Sequence, residues 1–228
     1  MDMLEFLPSQ VKEIYINKDL QKIKNDTLLE LAKKNRIRVT ALNKADLDKK
    51  TGKSNHQGIA ADINDFQYEE FGTLLNQSHR FYLILDHIED PHNLGAIIRT
   101  ANFFGVGGII IPKDRAVGVT PTVIKTSSGA AMTIPICKVS NIGNAINDLK
   151  KKNVWIVGAD ISADKEVSEI DTEGLDLGLV IGSEGKGLTK GIRNQCDFLV
   201  SITRTGTVDS LNASVAAGIL MYKLNGKL

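Results

Sequence analysis

From Phe81 onward the chain alternates between two patterns. Six short, nearly unbroken apolar runs, each flanked by Gly, Pro or Asp, read as strands: 81–86, 107–112, 133–139, 154–160, 177–182 and 197–202. Between and after them, apolar residues recur at helical spacing over about 93–104, 120–131, 141–152 and 210–224. Strands apolar along their whole length, separated by helices, predict a mostly parallel sheet covered on both faces. In such a fold ligands sit outside the carboxyl ends of the strands.

The first third is patterned differently. "VKEIYINK" (11–18) predicts a strand, "NDTLLELAKKN" (25–35) a helix and "RIRVTAL" (36–42) a second strand. "KADLDKK" (44–50) predicts a short helix, and "HQGIAADI" (56–63) a closing strand after the turn-rich "TGKSN". The more polar "NDFQYEEFGTLLNQSHR" (64–80) reads as a hinge. The expected organisation is therefore a small α/β unit over 1–66, a linker over 67–80 and a larger α/β domain over 81–228.

Helical geometry makes one stretch unusual. In "DPHNLGAIIRTANFFG" (90–105), Leu94, Ile97, Ile98, Ala101 and Phe104 point to one side, toward a core. His92, Gly95, Ala96, Arg99 and Phe103 fall on another stripe. A guanidinium above a glycine and an alanine is expected to have room beneath it for a large ligand. The ordinary alternative is that Arg99 pairs with a structural acid such as Asp86.

Charge alters the reading of the first unit alone. The net charge is +1, but Lys33, Lys34, Arg36, Arg38, Lys44, Lys49, Lys50 and Lys53 lie close together against Asp46 and Asp48. That run is either a solvated basic face or a surface that contacts nucleic-acid phosphates. Cys137 and Cys196 have no partner spacing, which argues against a zinc ribbon or a disulfide scaffold and for a reducing compartment. The sequence has no run of 18 apolar residues and no signal-peptide pattern at its start, so the expected location is the cytosol, with no membrane contact.

Three segments carry candidate chemistry. "GSEGKGL" (182–188) follows a strand and is glycine-rich enough to turn backbone amides toward a ligand. It is neither a phosphate-binding loop, since Leu188 stands where the lysine must be, nor a G-x-G-x-x-G fingerprint. "DSLNASVAAGILMY" (209–222) reads as a helix capped by Ser210 or Asn212, with Ala213, Ala216 and Ala217 on a small-residue face. Free amides at such a helix start favour an anionic group. The third segment holds Arg99. No serine sits in G-x-S-x-G, and His87 and His92 with Asp86 or Asp90 lack a metal-binding spacing, so no metal is expected. His56 and His79 lie in turn and linker sequence and are expected to be solvated.

Together, "DPHNLGAIIRTANFFGVGGIII", "LVIGSEGKGL" and "SLNASVAAGILMY" resemble the three motifs of the SpoU (TrmH-type) RNA 2′-O-ribose methyltransferases. The basic unit ending in "HQGIAA" resembles the L30e-like substrate-binding domain of one branch of that family, the branch that methylates a guanosine in bacterial 23S ribosomal RNA. The chain departs from the family at Met132, where relatives commonly carry a glutamate, and it begins without a "G-x-x-A-V" segment, so the first unit is expected to be trimmed.

The resemblance implies a trefoil-knotted, SPOUT-type catalytic domain, S-adenosylmethionine as methyl donor, RNA as partner and a homodimer. It implies a polar active site of Asn93, Arg99, Glu184, Ser210 and Asn212. The cofactor contacts it implies are Gly182, Gly187, Ile202, Leu211, Asn212 and Ser214. Lys33, Lys34, Arg36, Arg38 and Lys53 then become RNA contacts. Other outcomes in keeping with the sequence are the same chemistry on transfer RNA or on a resistance-type ribosomal site, and an RNA-binding assembly factor without catalysis.

Overall fold

The computed structural model describes residues 4–5, 7–19, 26–52, 56–77, 81–183, 185 and 187–225. It divides the chain at Phe66–Gln67. In the first unit, β1 (Val11–Asn17) lies between β2 (Arg38–Leu42), parallel to it, and β3 (Ile59–Ile63), antiparallel. The alternation along β1 buries Ile14 and Ile16 with Leu28 and Ala32 of α1 (Asp26–Lys34). Helix α2 (Lys44–Lys50) starts at Asn43, whose side chain accepts a hydrogen bond from the Asp46 amide at 2.8 Å, and buries Leu47.

The other face of this small sheet is a polar network. Tyr15 Oη lies 2.8 Å from both Glu13 and Asp62, so its one proton serves two carboxylates. Thr40 donates to Glu13 at 2.5 Å, Lys50 Nζ is 3.1 Å from Asp62, and Arg38 Nε is 3.4 Å from Glu13. His56 is not solvated as its turn position suggests. Its side chain is 11% exposed, with Nε2 2.7 Å from Asp48 and Nδ1 accepting from the Gly58 amide at 2.8 Å. His79 lies outside the described residues.

In the second unit six strands form one sheet in the order β6–β5–β4–β8–β7–β9, every pair parallel. They are β4 (Phe81–Leu85), β5 (Gly108–Pro112), β6 (Ile136–Val139), β7 (Val154–Ala159), β8 (Asp176–Ile181) and β9 (Phe198–Val200). All residues of β4 and β5 are buried, as strands covered on both faces require. The chain builds outward from β4 through β5 to β6, then crosses to β7 and returns to place β8 against β4. The order therefore reverses between β4 and β8, which makes their carboxyl ends the expected ligand crevice.

The segment expected as a linker is structured over 67–77. Glu69 bridges to Cys137 beside β6, and α3 (Phe71–Asn76) sends Leu74 into the core, fully buried. Three apolar residues, Phe71, Leu74 and Leu75, within a single turn and a half are too short a periodic signal to announce a helix. The helix expected over 120–131 is shorter. Helix α5 (Pro121–Thr126) ends where Gly129, at φ +87°, turns the chain into a 3₁₀ turn over Ala130–Met132.

Candidate active site

Helix α4 (Pro91–Phe103) follows β4 directly. Pro91 occupies its first turn, and the Asp90 carboxylate accepts from the His92 amide at 2.9 Å. Leu94, Ile97, Ile98 and Ala101 are buried, as their spacing predicts, while Phe104 is only half-buried. Helix α8 (Ala213–Asn225) packs beside α4. Asn93 meets Asn212 at one end of the pair, Thr100 faces Gly218 in the middle, and the Phe104 and Tyr222 rings lie 6.1 Å apart at the other. The helices thus run parallel and bring two positive dipole ends together.

The contact at those ends is specific. Asn212 Nδ2 donates to Asn93 Oδ1 at 2.9 Å, and Asn212 Oδ1 accepts from the Ser214 amide at 2.9 Å and the Ser214 hydroxyl at 2.6 Å. Asn212, rather than Ser210, is therefore the cap of α8. With both acceptor positions of its oxygen used, its amide is fixed in orientation. Asn93 is buried at 7% exposure, so the pair acts as a fixed floor under this corner.

Arg99 lies further along α4 and is exposed. Among the described residues it makes no hydrogen bond and no ion pair. Asp86, the acid that could have engaged it, is buried at 2% exposure and takes His87 instead, with Nδ1 2.5 Å away. His87 is held at φ +63°, outside the region most side chains adopt. The sequence marks Asp86 only as an alternative partner for Arg99, and both residues as part of a set without metal-binding spacing, not as a pair bonded to each other. The only trace of it is an Asp-His dipeptide closing a buried strand.

The space expected beneath Arg99 is not there. Gly95 is buried, and a Cβ at that position would stand 2.6 Å from Thr126 Cβ and 3.1 Å from the Val123 carbonyl. The glycine is there because α5 packs against α4, not to clear a ligand space. Arg99 faces open solvent along with His92 and Phe103, the last 82% exposed.

Beside this corner β8 ends in the glycine-rich turn. Leu85 pairs with Ile181, and the Asp86 amide donates to the Ile181 carbonyl at 2.8 Å, so the turn begins next to the start of the α4 segment. Ser183 and Gly187 form an antiparallel bridge, with the Gly187 amide 2.9 Å from the Ser183 carbonyl. A Cβ on Gly182 would lie 2.3 Å from the Gly187 carbonyl carbon. Gly182 is therefore dictated first by closure of the turn on itself. Leu188, which replaces the lysine of a phosphate loop, is buried in the main core and anchors the turn.

The segment between β9 and α8 leaves apolar side chains uncovered. Val208 is 72% and Leu211 48% exposed, Ile202 is half-buried, and Ser210 is exposed. Glu184 and Lys53 lie outside the described residues. Cys137 and Cys196 are poor nucleophiles, since burial pushes both thiols up to about 12. No described helix is long and apolar enough to cross a membrane.

Known proteins place this geometry. Residues 80–222 match the model of the SpoU rRNA methylase family, and residues 4–69 match that of the RNA 2′-O ribose methyltransferase substrate-binding domain. The chain belongs to the SpoU rRNA methylase family. It is 41% identical to YacO of Bacillus subtilis, placed in the TrmH family of tRNA/rRNA methyltransferases, over 99% of this chain and 92% of that protein. It is 40% identical to the 23S rRNA (guanosine-2′-O-)-methyltransferase RlmB of Coxiella burnetii, over 97% of this chain and 90% of that protein.

The fold is likewise that of solved family members. The AdoMet-bound rRNA methyltransferase of Sinorhizobium meliloti superposes with a TM-score of 0.81 at 22% identity, covering 100% of this chain and 85% of that one. The mostly parallel sheet expected from the alternating pattern, and the SPOUT-type fold with a small α/β unit before it that the resemblance implies, are what is found. The chain is an RNA methyltransferase of this family.

Proposed function

We propose that this protein transfers a methyl group from S-adenosylmethionine to the ribose 2′-oxygen of a guanosine in 23S ribosomal RNA. Arg99 carries the reading. It is a guanidinium left exposed and without a partner among the described residues, on the helix whose amino end is locked to α8 through Asn93 and Asn212. The relative from Coxiella burnetii supports the ribose oxygen, the guanosine and the 23S target.

The residues present suit the methyl donor. Leu211 and Ile202 offer apolar surface for an adenine ring, and the backbone at Gly182 and Gly187 offers polar groups for its edge. Asn212 and Ser214 stand at the start of α8, whose dipole favours the donor's carboxylate. When bound, the sulfonium supplies an electrophilic methyl group that needs no metal to activate it.

The chain's own residues then have to orient and stabilise. Arg99 donates to the 2′-oxygen and stabilises the negative charge that develops there as its proton leaves. A protonated guanidinium has no lone pair to accept that proton, so it passes to water or to an RNA phosphate oxygen rather than to Arg99. Asn93 and Asn212 hold the two helix ends in register, the exposed Ser210 adds a hydroxyl just before α8, and the basic first unit holds RNA through its phosphates. The test is to map 2′-O-methyl marks in ribosomal and transfer RNA of cells with and without the gene. Loss of one guanosine mark in 23S RNA is expected. A lost transfer-RNA mark would reassign the substrate, and an unchanged map would leave an RNA-binding factor.

The protein is further proposed to act in the cytosol as a homodimer. Phe103 at 82% and Tyr222 at 65% exposure put aromatic surface on the α4–α8 face, where a second copy would cover it. Sedimentation of the wild type should give twice the 24.8 kDa chain mass. Phe103→Asp with Tyr222→Asp should shift it to the monomer, and an unshifted dimer would move the interface elsewhere.

A further inference from the structure

Five helices end in the same way, with the chain passing through the left-handed region just beyond the last turn. After α2 and α4 the residue there is glycine, Gly52 (φ +62°) and Gly105 (φ +69°). After α6 (Ile142–Lys151) it is Asn153 (φ +62°), and after α5 it is Ser128 (φ +54°). Glycine and asparagine are the residues that adopt this conformation most readily. After α1 the residue is Arg36, at φ +57°. Its hydrogen bonds are those of a complete Schellman ending: the Ile37 amide donates to the Ala32 carbonyl at 2.8 Å, and the Arg36 amide to Lys33 at 3.1 Å. Ile37 packs into the first unit's core as such an ending requires. Nothing in the fold calls for a long cationic side chain at this point.

Its neighbours give it a context. Lys33 and Lys34 close α1, and all three residues are exposed, with no ion pair among the described residues. Other members of the basic run are already engaged, Arg38 by Glu13 and Lys50 by Asp62. Among the described residues the run therefore divides three ways: Arg38 and Lys50 are held within the sheet network, Lys44 and Lys49 of α2 are exposed without an ion pair, and Lys33, Lys34 and Arg36 form an unpaired triad at the end of α1. Backbone strain retained in a residue that could be glycine suggests a use for its side chain.

We infer that Lys33, Lys34 and Arg36 form an RNA phosphate-binding patch of the first unit, and that Arg36 occupies the left-handed position so that its guanidinium can join the two lysines. The inference rests on the reading of this chain as an RNA methyltransferase and specifies where the first unit grips RNA.

The test uses the full chain and a 23S RNA transcript, with affinity measured across a salt series. Arg36→Gly should lower affinity several-fold at low salt and reduce the slope of log affinity against log salt by about 1. It should leave the melting temperature unchanged or raised, because glycine suits the backbone better. Lys33→Gln with Lys34→Gln should reduce the slope by about 2. If wild type binds with a steep slope and both patch variants keep it, the patch is misplaced while the RNA reading stands. If wild type shows no salt-dependent RNA binding, the RNA reading itself fails. Weakened binding by Arg36→Gly together with a lower melting temperature, absent from the lysine pair, would make Arg36 structural and overturn the patch.

Discussion

Gly95 illustrates how one residue can suit two opposite explanations. On a helical wheel it lies beneath Arg99, and an absent side chain there suggests space. In three dimensions the missing side chain lets Thr126 approach, with its Cβ only 2.6 Å from where a Gly95 Cβ would be. A wheel fixes direction but cannot say what stands there. Gly95→Ala is expected to destabilise the second unit by about 1–3 kcal/mol through overpacking. Thermal denaturation would check this, and Thr126→Gly should partly restore the loss. If Gly95→Ala melted like wild type, the close helix contact would be refuted.

At the scale of elements, what was legible in the sequence depended on how much apolar surface each element buries. The six strands of the second unit stand out because both faces are covered, and α4, α6 and α8 because each carries a long periodic face. Helix α3 was hidden, since it is short and sends one fully buried residue, Leu74, into the core, with Phe71 and Leu75 only partly buried beside it. Leu74→Ala should cost about 2–5 kcal/mol if this segment belongs to the core. A change below about 0.5 kcal/mol in denaturant unfolding would return it to the role of a linker.

For the candidate site, three motifs in order pointed to Arg99, Asn93 and Asn212, and the structure puts Arg99 on the helix whose Asn93 meets Asn212. The Asn93–Asn212 bond joins residues 119 positions apart, and no local pattern encodes it. The Asp86–His87 pair was equally hidden, since a dipeptide shows neither the burial of Asp86 nor the backbone angle of His87.

At the scale of the whole molecule the two units should respond differently to acid. In the first, the Thr40 and then the Tyr15 hydrogen bonds hold the Glu13 carboxyl below its ordinary 4.5, and the Tyr15 hydrogen bond, then Lys50, holds Asp62 below 3.8. Both carboxyls bind protons more weakly folded than unfolded. The stabilisation they provide is complete above those ordinary values and is lost as pH falls through the depressed folded ones. Melting of the first unit should therefore drop as pH falls below those ordinary values, and Glu13→Gln should flatten that drop. An identical acid profile for wild type and Glu13→Gln would contradict the role given to the network.

In the proposed function the two units serve one reaction, the first holding RNA and the second bringing Arg99 to the 2′-oxygen. The most direct test is methyl transfer from labelled S-adenosylmethionine to 23S RNA by purified protein, with cofactor binding followed by calorimetry. Wild type should yield 2′-O-methylguanosine at one position. Arg99→Ala should bind the cofactor normally and transfer on the order of 10²–10³-fold more slowly. Unimpaired transfer by Arg99→Ala, or no ribose methylation by wild type, would contradict the assignment.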